Sequence, residues 1–317
     1  MKKLFLIKNP ELFQGEKCIK RKKKYFEGWY FKNVNGKQGI SFIPGVNINK
    51  QERSAFIQII TNNSSYFVKY NIDDFYFGFN PFYIKIGNNL FSKDNIHIDI
   101  NDNNQNLIVY GDIKYSNSKN IVANFFNPNI MGPFSYIPFM ECNHAILSMK
   151  NNVRGSVNIN DNIIKFNNGI GYIEKDWGCS FPKTYIWGQG NNFNNPKASF
   201  MVSIANIPFK IFHFKGIICS LIIDNIEYRF ATYNNTKLIK YNIDNNSVDI
   251  ILKKGHYYLN MKTKYDDGLK LSAPVKGKMK KDILESISAS ICVTLKKDNM
   301  IIFSDTSTNC GLEIVFE

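Results

Sequence analysis

Little in this chain points to metal, redox or nucleotide chemistry. Only six of its 317 residues are cysteine and only four are histidine. The cysteines (Cys18, Cys142, Cys179, Cys219, Cys292, Cys310) are far apart and form no CxxC pair. That spacing argues against a disulfide framework or a zinc knuckle and favours reduced thiols in the cytoplasm. His97, His213 and His256 lack ligand spacing, so no metal is expected. There is no GxGxxG or Walker-type loop and no GxSxG elbow, which removes the common nucleotide and serine-hydrolase signatures and leaves no expected cofactor. No apolar run approaches the ~20 residues of a membrane-crossing helix. The opening MKKLFLIKNPELF is interrupted at Lys8 and Pro10, too early for a secretory signal. Alanine and long runs of good helix formers are scarce, so long helices are not expected.

Aromatic and β-branched residues take their place. The chain is 44% hydrophobic and 15% aromatic, with 26 Phe and 17 Tyr, enough for a core and biased toward strands. Runs such as Tyr66–Tyr70, Phe82–Ile86, Ile96–Ile100 and Leu107–Tyr115 are short, alternate apolar with polar residues, and are bounded by Asn, Asp or Gly, while Tyr25–Asn33 carries aromatics on both faces. About twenty such runs exceed one ordinary sheet. The expected fold is all-β: two packed antiparallel barrels or sandwiches with few short helices, the helices falling at Lys280–Ser286 and Ser118–Phe125. The expected division is an irregular arm over 1–24, a first β domain over 25–160 and a second over 161–317, with the seam between Met149 and Gly171.

Forty basic against 26 acidic residues give a formal charge of +14. Most lysines are scattered singly, as on solvated sheet faces. Lys17–Lys24 (KCIKRKKK) is the exception and offers a place for peripheral contact with an anionic membrane. Arginines and aromatics do not cluster together, so a nucleic-acid partner is not expected.

One stretch differs from the rest. Gly169–Asn191 (GIGYIEKDWGCSFPKTYIWGQGN) holds two of the three tryptophans and an acidic pair in a basic chain. Strand alternation sets Tyr172, Glu174 and Asp176 on one face and Ile173, Lys175 and Trp177 on the other. After a turn, Tyr185, Trp187 and Gln189 share a face again. Glu174 and Asp176 would lie about 6–7 Å apart at Cα, close enough to push one carboxyl pKa upward. Two further acid–base candidates, Glu141 and His144 in FMECNHAILSM, fall on opposite faces of a regular strand. Glu27, beside Trp29 in YFEGWYFKN, is the last. Each has a structural alternative: neutralisation of Glu174 by Lys175 or a nearby arginine, a turn cap or backbone-amide bonds for Asp176, a satisfied core position for His144, a lysine partner for Glu141, and an ion pair between Glu27 and the basic arm.

Four blocks carry a resemblance: Tyr25–Lys32, Met131–Met149, Gly169–Asn191, and the set APVKGKM, LES and GLEIV between Ala273 and Val315. Together they resemble the tocopherol cyclase family and the wider group of two-lipocalin-like-domain proteins that includes carotenoid hydratases and lipocalin-type Diels–Alderases. The resemblance implies two lipocalin-like barrels and an apolar pocket for a prenylated quinol, isoprenoid or polyene. It also implies cofactor-independent, acid-initiated cyclisation or hydration, in which an alkene is protonated and the tertiary cation is captured by oxygen. Glu174, Asp176, Glu141, His144 and Glu27 are then the candidate proton donors and acceptors. Trp29, Tyr136, Tyr172, Tyr185, Trp187 and Gln189 are the candidate walls, where aromatic faces tolerate cationic character. The competing expectation is a non-catalytic lipid or quinone carrier whose cavity is wholly apolar.

Overall fold

Period-2 alternation and Asn-, Asp- or Gly-rich turns make this an all-β protein. A computed structural model describes residues 2–138, 140–209, 212–244 and 246–316. The chain forms two compact units: Met1–Asn120 with Ser135–Phe181 and Leu271–Asp282, and Ile121–Phe134 with Pro182–Lys270 and Ile283–Glu317. Two short helices, α1 (Lys2–Lys8) and α2 (Glu16–Arg21), precede the first strand. No helix among the described residues is long and apolar enough to cross a membrane.

The first unit carries β1 (Tyr25–Val34), β2 (Gly39–Ile48), β3 (Arg53–Thr61), β4 (Ser65–Asn71), β5 (Phe75–Phe79), β6 (Phe82–Ile86), β7 (Asn89–Ser92), β8 (Asn95–Asp102), β9 (Leu107–Lys119), β10 (Cys142–Ile159) and β11 (Asn162–Gly178). They form one sheet in the order β4-β3-β2-β1-β11-β10-β9-β8-β7-β6-β5. Its two ends approach each other: Asn89 Nδ2 donates to the Tyr70 hydroxyl at 3.2 Å and Gln105 Nε2 to the Phe67 carbonyl at 2.9 Å. The sheet thereby curls around a core that includes Trp29, Phe31, Phe42, Phe91 and Phe166. Each such aromatic side chain contributes about 1.5–3 kcal/mol by leaving water.

The second sheet uses β12 (Tyr185–Gly190), β13 (Ser199–Phe209), β14 (Phe212–Ile223), β15 (Ile226–Ala231), β16 (Lys237–Asp244), β17 (Ser247–Lys254), β18 (Tyr257–Lys264), β19 (Leu269–Val275), β20 (Lys278–Lys297) and β21 (Met300–Val315). Their order is β15-β14-β13-β12-β21-β20-β18-β17-β16, with β19 paired to β20. Both sheets share one device: the last strand returns to pair with the first, β11 with β1 and β21 with β12.

Three expectations differ from the structure. Residue 160 is not a break, because Asn160 and Asp161 both take positive φ, make the tight turn between β10 and β11, and leave both strands in the first sheet. The segment Lys280–Ser286 is strand, since Ile283, Glu285, Ile287, Ala289 and Ile291 are buried at a spacing of two within β20, and 120–125 is irregular after β9 ends at Lys119. The arm is not irregular throughout; its helices span seven and six residues, too short to print a helical period in sequence.

The arm is fastened by a buried ion pair. Glu27 on β1 and Lys175 on β11 point into the core of the first unit, both wholly buried and in direct contact. Every Lys175 ammonium donor is used: it also reaches the carbonyls of Pro10 at 2.8 Å and Leu12 at 2.7 Å. The ammonium lies 4.8 Å from the ring centres of both Trp29 and Trp177. The Glu27 carboxylate accepts from the Gln14 and Gly15 amides at 2.9 and 3.0 Å and from the Tyr25 hydroxyl at 2.5 Å. Burial pushes the Glu27 carboxyl up and the Lys175 amine down, each opposed by the other's charge. Removing one partner strands the other in a dry core. Glu27→Gln should therefore lower the unfolding free energy in urea by about 3–5 kcal/mol, and the double change Glu27→Leu/Lys175→Met should recover most of that loss. A loss under about 1 kcal/mol in the single variant would show the pair to be dispensable.

Candidate functional site

Alternation along β11 sorts its charged residues onto two faces. Lys175 and Trp177 enter the core; Tyr172, Glu174 and Asp176 face away from it. The register then assembles the outward group. Tyr30 lies opposite Glu174 and Lys32 opposite Tyr172 on β1, while His144 lies opposite Asp176 on β10. Despite facing away from the core, Tyr172 is only 1% exposed, Glu174 4% and His144 9%.

His144 is the centre of this group. Its Nδ1 lies 2.9 Å from Asp176 Oδ1 and its Nε2 lies 3.4 Å from Glu174 Oε2. The Tyr172 hydroxyl donates to the same Glu174 oxygen at 2.6 Å. Tyr30 and Tyr172 meet edge-on with ring centres 6.5 Å apart, and the Ser41 hydroxyl donates to Tyr30 at 3.0 Å. Burial, and then the neighbouring Glu174, hold the Tyr172 phenol well above its usual pKa, so it remains a donor. Cys142 Sγ lies 3.8 Å from Asp176 Oδ1; burial first and that carboxylate second push its thiol well above the ordinary range. A thiol so placed is a poor nucleophile.

The geometry suits proton transfer. With the Asp176 carboxylate accepting from Nδ1–H, the second imidazole nitrogen is turned toward Glu174 Oε2, 3.4 Å away. Ligand atoms of His144, Glu174 and Asp176 also lie within 4.8 Å of one another, a spacing that permits a cation. One imidazole cannot offer both nitrogens to one ion. One imidazole nitrogen and one oxygen from each carboxylate are the ligands this trio would supply to such an ion.

Gly178 fixes the position of this end of β11. A side chain there would meet the Glu141 carbonyl at 2.1 Å, and the same carbonyl accepts from the Cys179 amide at 2.8 Å. The close approach pins the start of β10, two residues before His144, to the Asp-Trp-Gly corner.

The remaining candidates are dispersed. Glu27 is consumed by the Lys175 clamp, and Trp29 is enclosed in the core with its indole nitrogen donating to the Glu11 carbonyl at 2.8 Å. Glu174 is not neutralised by Lys175, which lies on the opposite face. Glu141 is half-buried just before β10, and Tyr136 closes a single 3-10 turn over Gly132–Tyr136. Tyr185, Trp187 and Gln189 do share a face, on β12 of the second unit, turned away from a core that holds Ile186. There the Tyr185 hydroxyl donates to Glu313 Oε2 at 2.5 Å, and Glu313 pairs across the strands with the fully buried Glu285. Tyr30, Ser41, Glu285 and Glu313 were missed in sequence. Tyr30 was findable, because alternation in YFEGWYFKN puts it opposite in sense to Trp29.

Two clefts lie away from these groups. One of ≈460 Å³ in the first unit is lined by Gln38, Thr61, Tyr66, Ile159 and Ile164 among others, and one of ≈540 Å³ in the second by Phe126, Pro133, Arg229, Tyr233 and Lys254 among others.

Residues 112–315 match the family model described as tocopherol cyclase-like. The match begins within β9 and ends on the last residue of β21, so it contains His144, Tyr172, Glu174 and Asp176. No curated protein sequence matches the chain. Among solved structures, CghA with Sch210972 superposes with a TM-score of 0.57 at 8% identity, covering 92% of this chain and 89% of that one. A Nitrosomonas europaea protein assigned as AttH gives 0.50 at 11% identity, covering 91% and 90%. At such identities the likeness is one of fold.

If Asp176 sets the imidazole tautomer, Asp176→Asn should change the ¹⁵N shifts of His144 from a single Nδ1–H form toward a tautomer mixture while the fold is kept. Identical His144 shifts in the two proteins would remove Asp176 from that role.

Proposed function

Because the chain belongs to the tocopherol cyclase-like family, we propose that it converts a hydrophobic small molecule by proton-initiated cyclisation or hydration, with His144 and Glu174 as the proton-handling pair. The observation that supports this most is the buried imidazole between two carboxylates, with the Tyr172 hydroxyl donating to one of them. Burial strengthens these interactions and keeps competing water from the proton.

The chemistry needs little else. The proton shared by His144 and Glu174 passes to a trisubstituted alkene, leaving a tertiary cation. A phenol oxygen of the same substrate, or a water, adds to that carbon and surrenders its proton to the emptied base, restoring the pair. Asp176 holds the imidazole in the required tautomer, as the carboxylate does for other catalytic histidines. Tyr172 and Tyr30 offer electron-rich rings that stabilise the cation. Family membership supports a hydrophobic small molecule, and the substrate proposed is a prenylated quinol, an isoprenoid or a polyene.

Two experiments test the proposal. Lipids extracted from the purified protein should contain a quinone, prenol or polyene identifiable by mass spectrometry. Incubated with that compound, the native protein should form product, and Glu174→Gln and His144→Ala should each slow turnover about 10²–10⁴-fold without loss of fold. Tight binding with no product in the native protein would instead assign a carrier.

A further inference from the structure

The segment before β1 carries charge and apolar surface that the proton-handling site does not use. Six of the eight residues from Lys17 to Lys24 are basic: Lys17, Lys20, Arg21, Lys22, Lys23 and Lys24. All six are exposed. One of them, Lys20, is shared with Glu16 at 3.2 Å. The two residues between them, Cys18 and Ile19, pack against the core of the first unit, so α2 has an inward apolar side and an outward basic one. The α1 helix is built the other way. Leu6 packs against the same core, while Leu4 and Phe5 are 42% and 50% exposed. Exposed Lys3 and Lys8 flank them.

These two surfaces are not loosely tethered. Gln14 Nε2 donates to the Leu6 carbonyl at 3.1 Å, tying α1 to the residues that lead into α2. Those residues are held in turn: Lys175 grips the Pro10 and Leu12 carbonyls, and Glu27 grips the Gln14 and Gly15 amides. Gly15 is the residue that opens α2. The buried ion pair therefore presents two exposed apolar side chains and a polybasic helix from one fastened segment.

We propose that α1 and α2 form a docking surface for an anionic lipid bilayer. Leu4 and Phe5 enter the boundary between headgroups and acyl chains, and the basic side chains of Lys17–Lys24 meet the lipid phosphates. The two signals are complementary: apolar insertion alone or a basic patch alone binds weakly and reversibly, and their combination gives stable peripheral attachment. The charge of the whole chain, +14, favours an anionic partner. Nucleic acid is the weaker occupant, because exposed Leu4 and Phe5 have no counterpart on a phosphate backbone. Five of the six cations are also lysines, which bind as point charges without the bidentate geometry of arginine. This inference stands on the arm alone and holds whether or not His144 and Glu174 perform the proposed chemistry.

Cosedimentation of the full chain with vesicles tests it. Phosphatidylcholine vesicles containing phosphatidylserine should retain the protein, and pure phosphatidylcholine should not. Replacing Lys17, Lys20, Lys22 and Lys23 by Gln should weaken partitioning at least about tenfold, since each basic side chain near an anionic surface contributes separately. The double change Leu4→Ser/Phe5→Ser should weaken it as well and make the remaining binding steeply salt-sensitive. Circular dichroism melts check that both variants fold, and Glu174→Gln should partition as the native protein does. Equal retention by neutral and anionic vesicles would overturn the proposal. So would tighter binding to a short DNA duplex that the Leu4→Ser/Phe5→Ser change leaves untouched.

Discussion

The ion pair between Glu27 and Lys175 is the constraint on which the first unit depends. Two opposite charges in a dry core are costly, and their mutual attraction offsets that cost only when every remaining donor and acceptor is satisfied. Here satisfaction comes from the backbone of the arm: two carbonyls for the ammonium and two amides for the carboxylate. The arm is thus an integral part of the core, although it precedes the first strand. The same pair locks the two strands that join the ends of the unit, β1 and β11, at the place where the outward-facing group is assembled.

The outward group depends on this arrangement through geometry alone. Because Lys175 is committed inward, its neighbours Glu174 and Asp176 must face away. His144 supplies the only imidazole in the group, drawn from a strand whose register is anchored at Gly178. The second unit repeats the plan in outline. Its last strand also returns to its first, and that junction again carries a tyrosine hydroxyl on a carboxylate, Tyr185 on Glu313. In the first unit the closing strand pair also carries the inward contact between Glu27 and Lys175.

Much of this could be read in the sequence, and what could not has a common cause. Alternation within one strand is a local property, so the two faces of the Tyr172–Trp177 segment and the shared side of Glu27, Trp29 and Phe31 were legible. Pairing between strands is not local. Nothing near Glu27 announces a partner 148 positions later, and an arm lysine was the natural guess. His144 and Glu174 were each singled out, but their approach follows from the β10–β11 register and its bulges. Short helices at the amino terminus, and a strand at Lys280–Ser286 that reads as a helix, were lost because six or seven residues do not establish a period.

The alternation on β11 also governs how this chain can change length. One residue inserted between Gly171 and Glu174 would send Glu174 and Asp176 into the core and turn Lys175 out of it, unfastening the arm and dismantling the imidazole group in a single step. Two residues would restore the faces but move every side chain along by one cross-strand pair. Length variation is tolerable only outside that interval, at turns such as Asn160–Asp161 where no face is at stake. The strand is sensitive to parity more than to composition, and a deletion there would be more damaging than most substitutions.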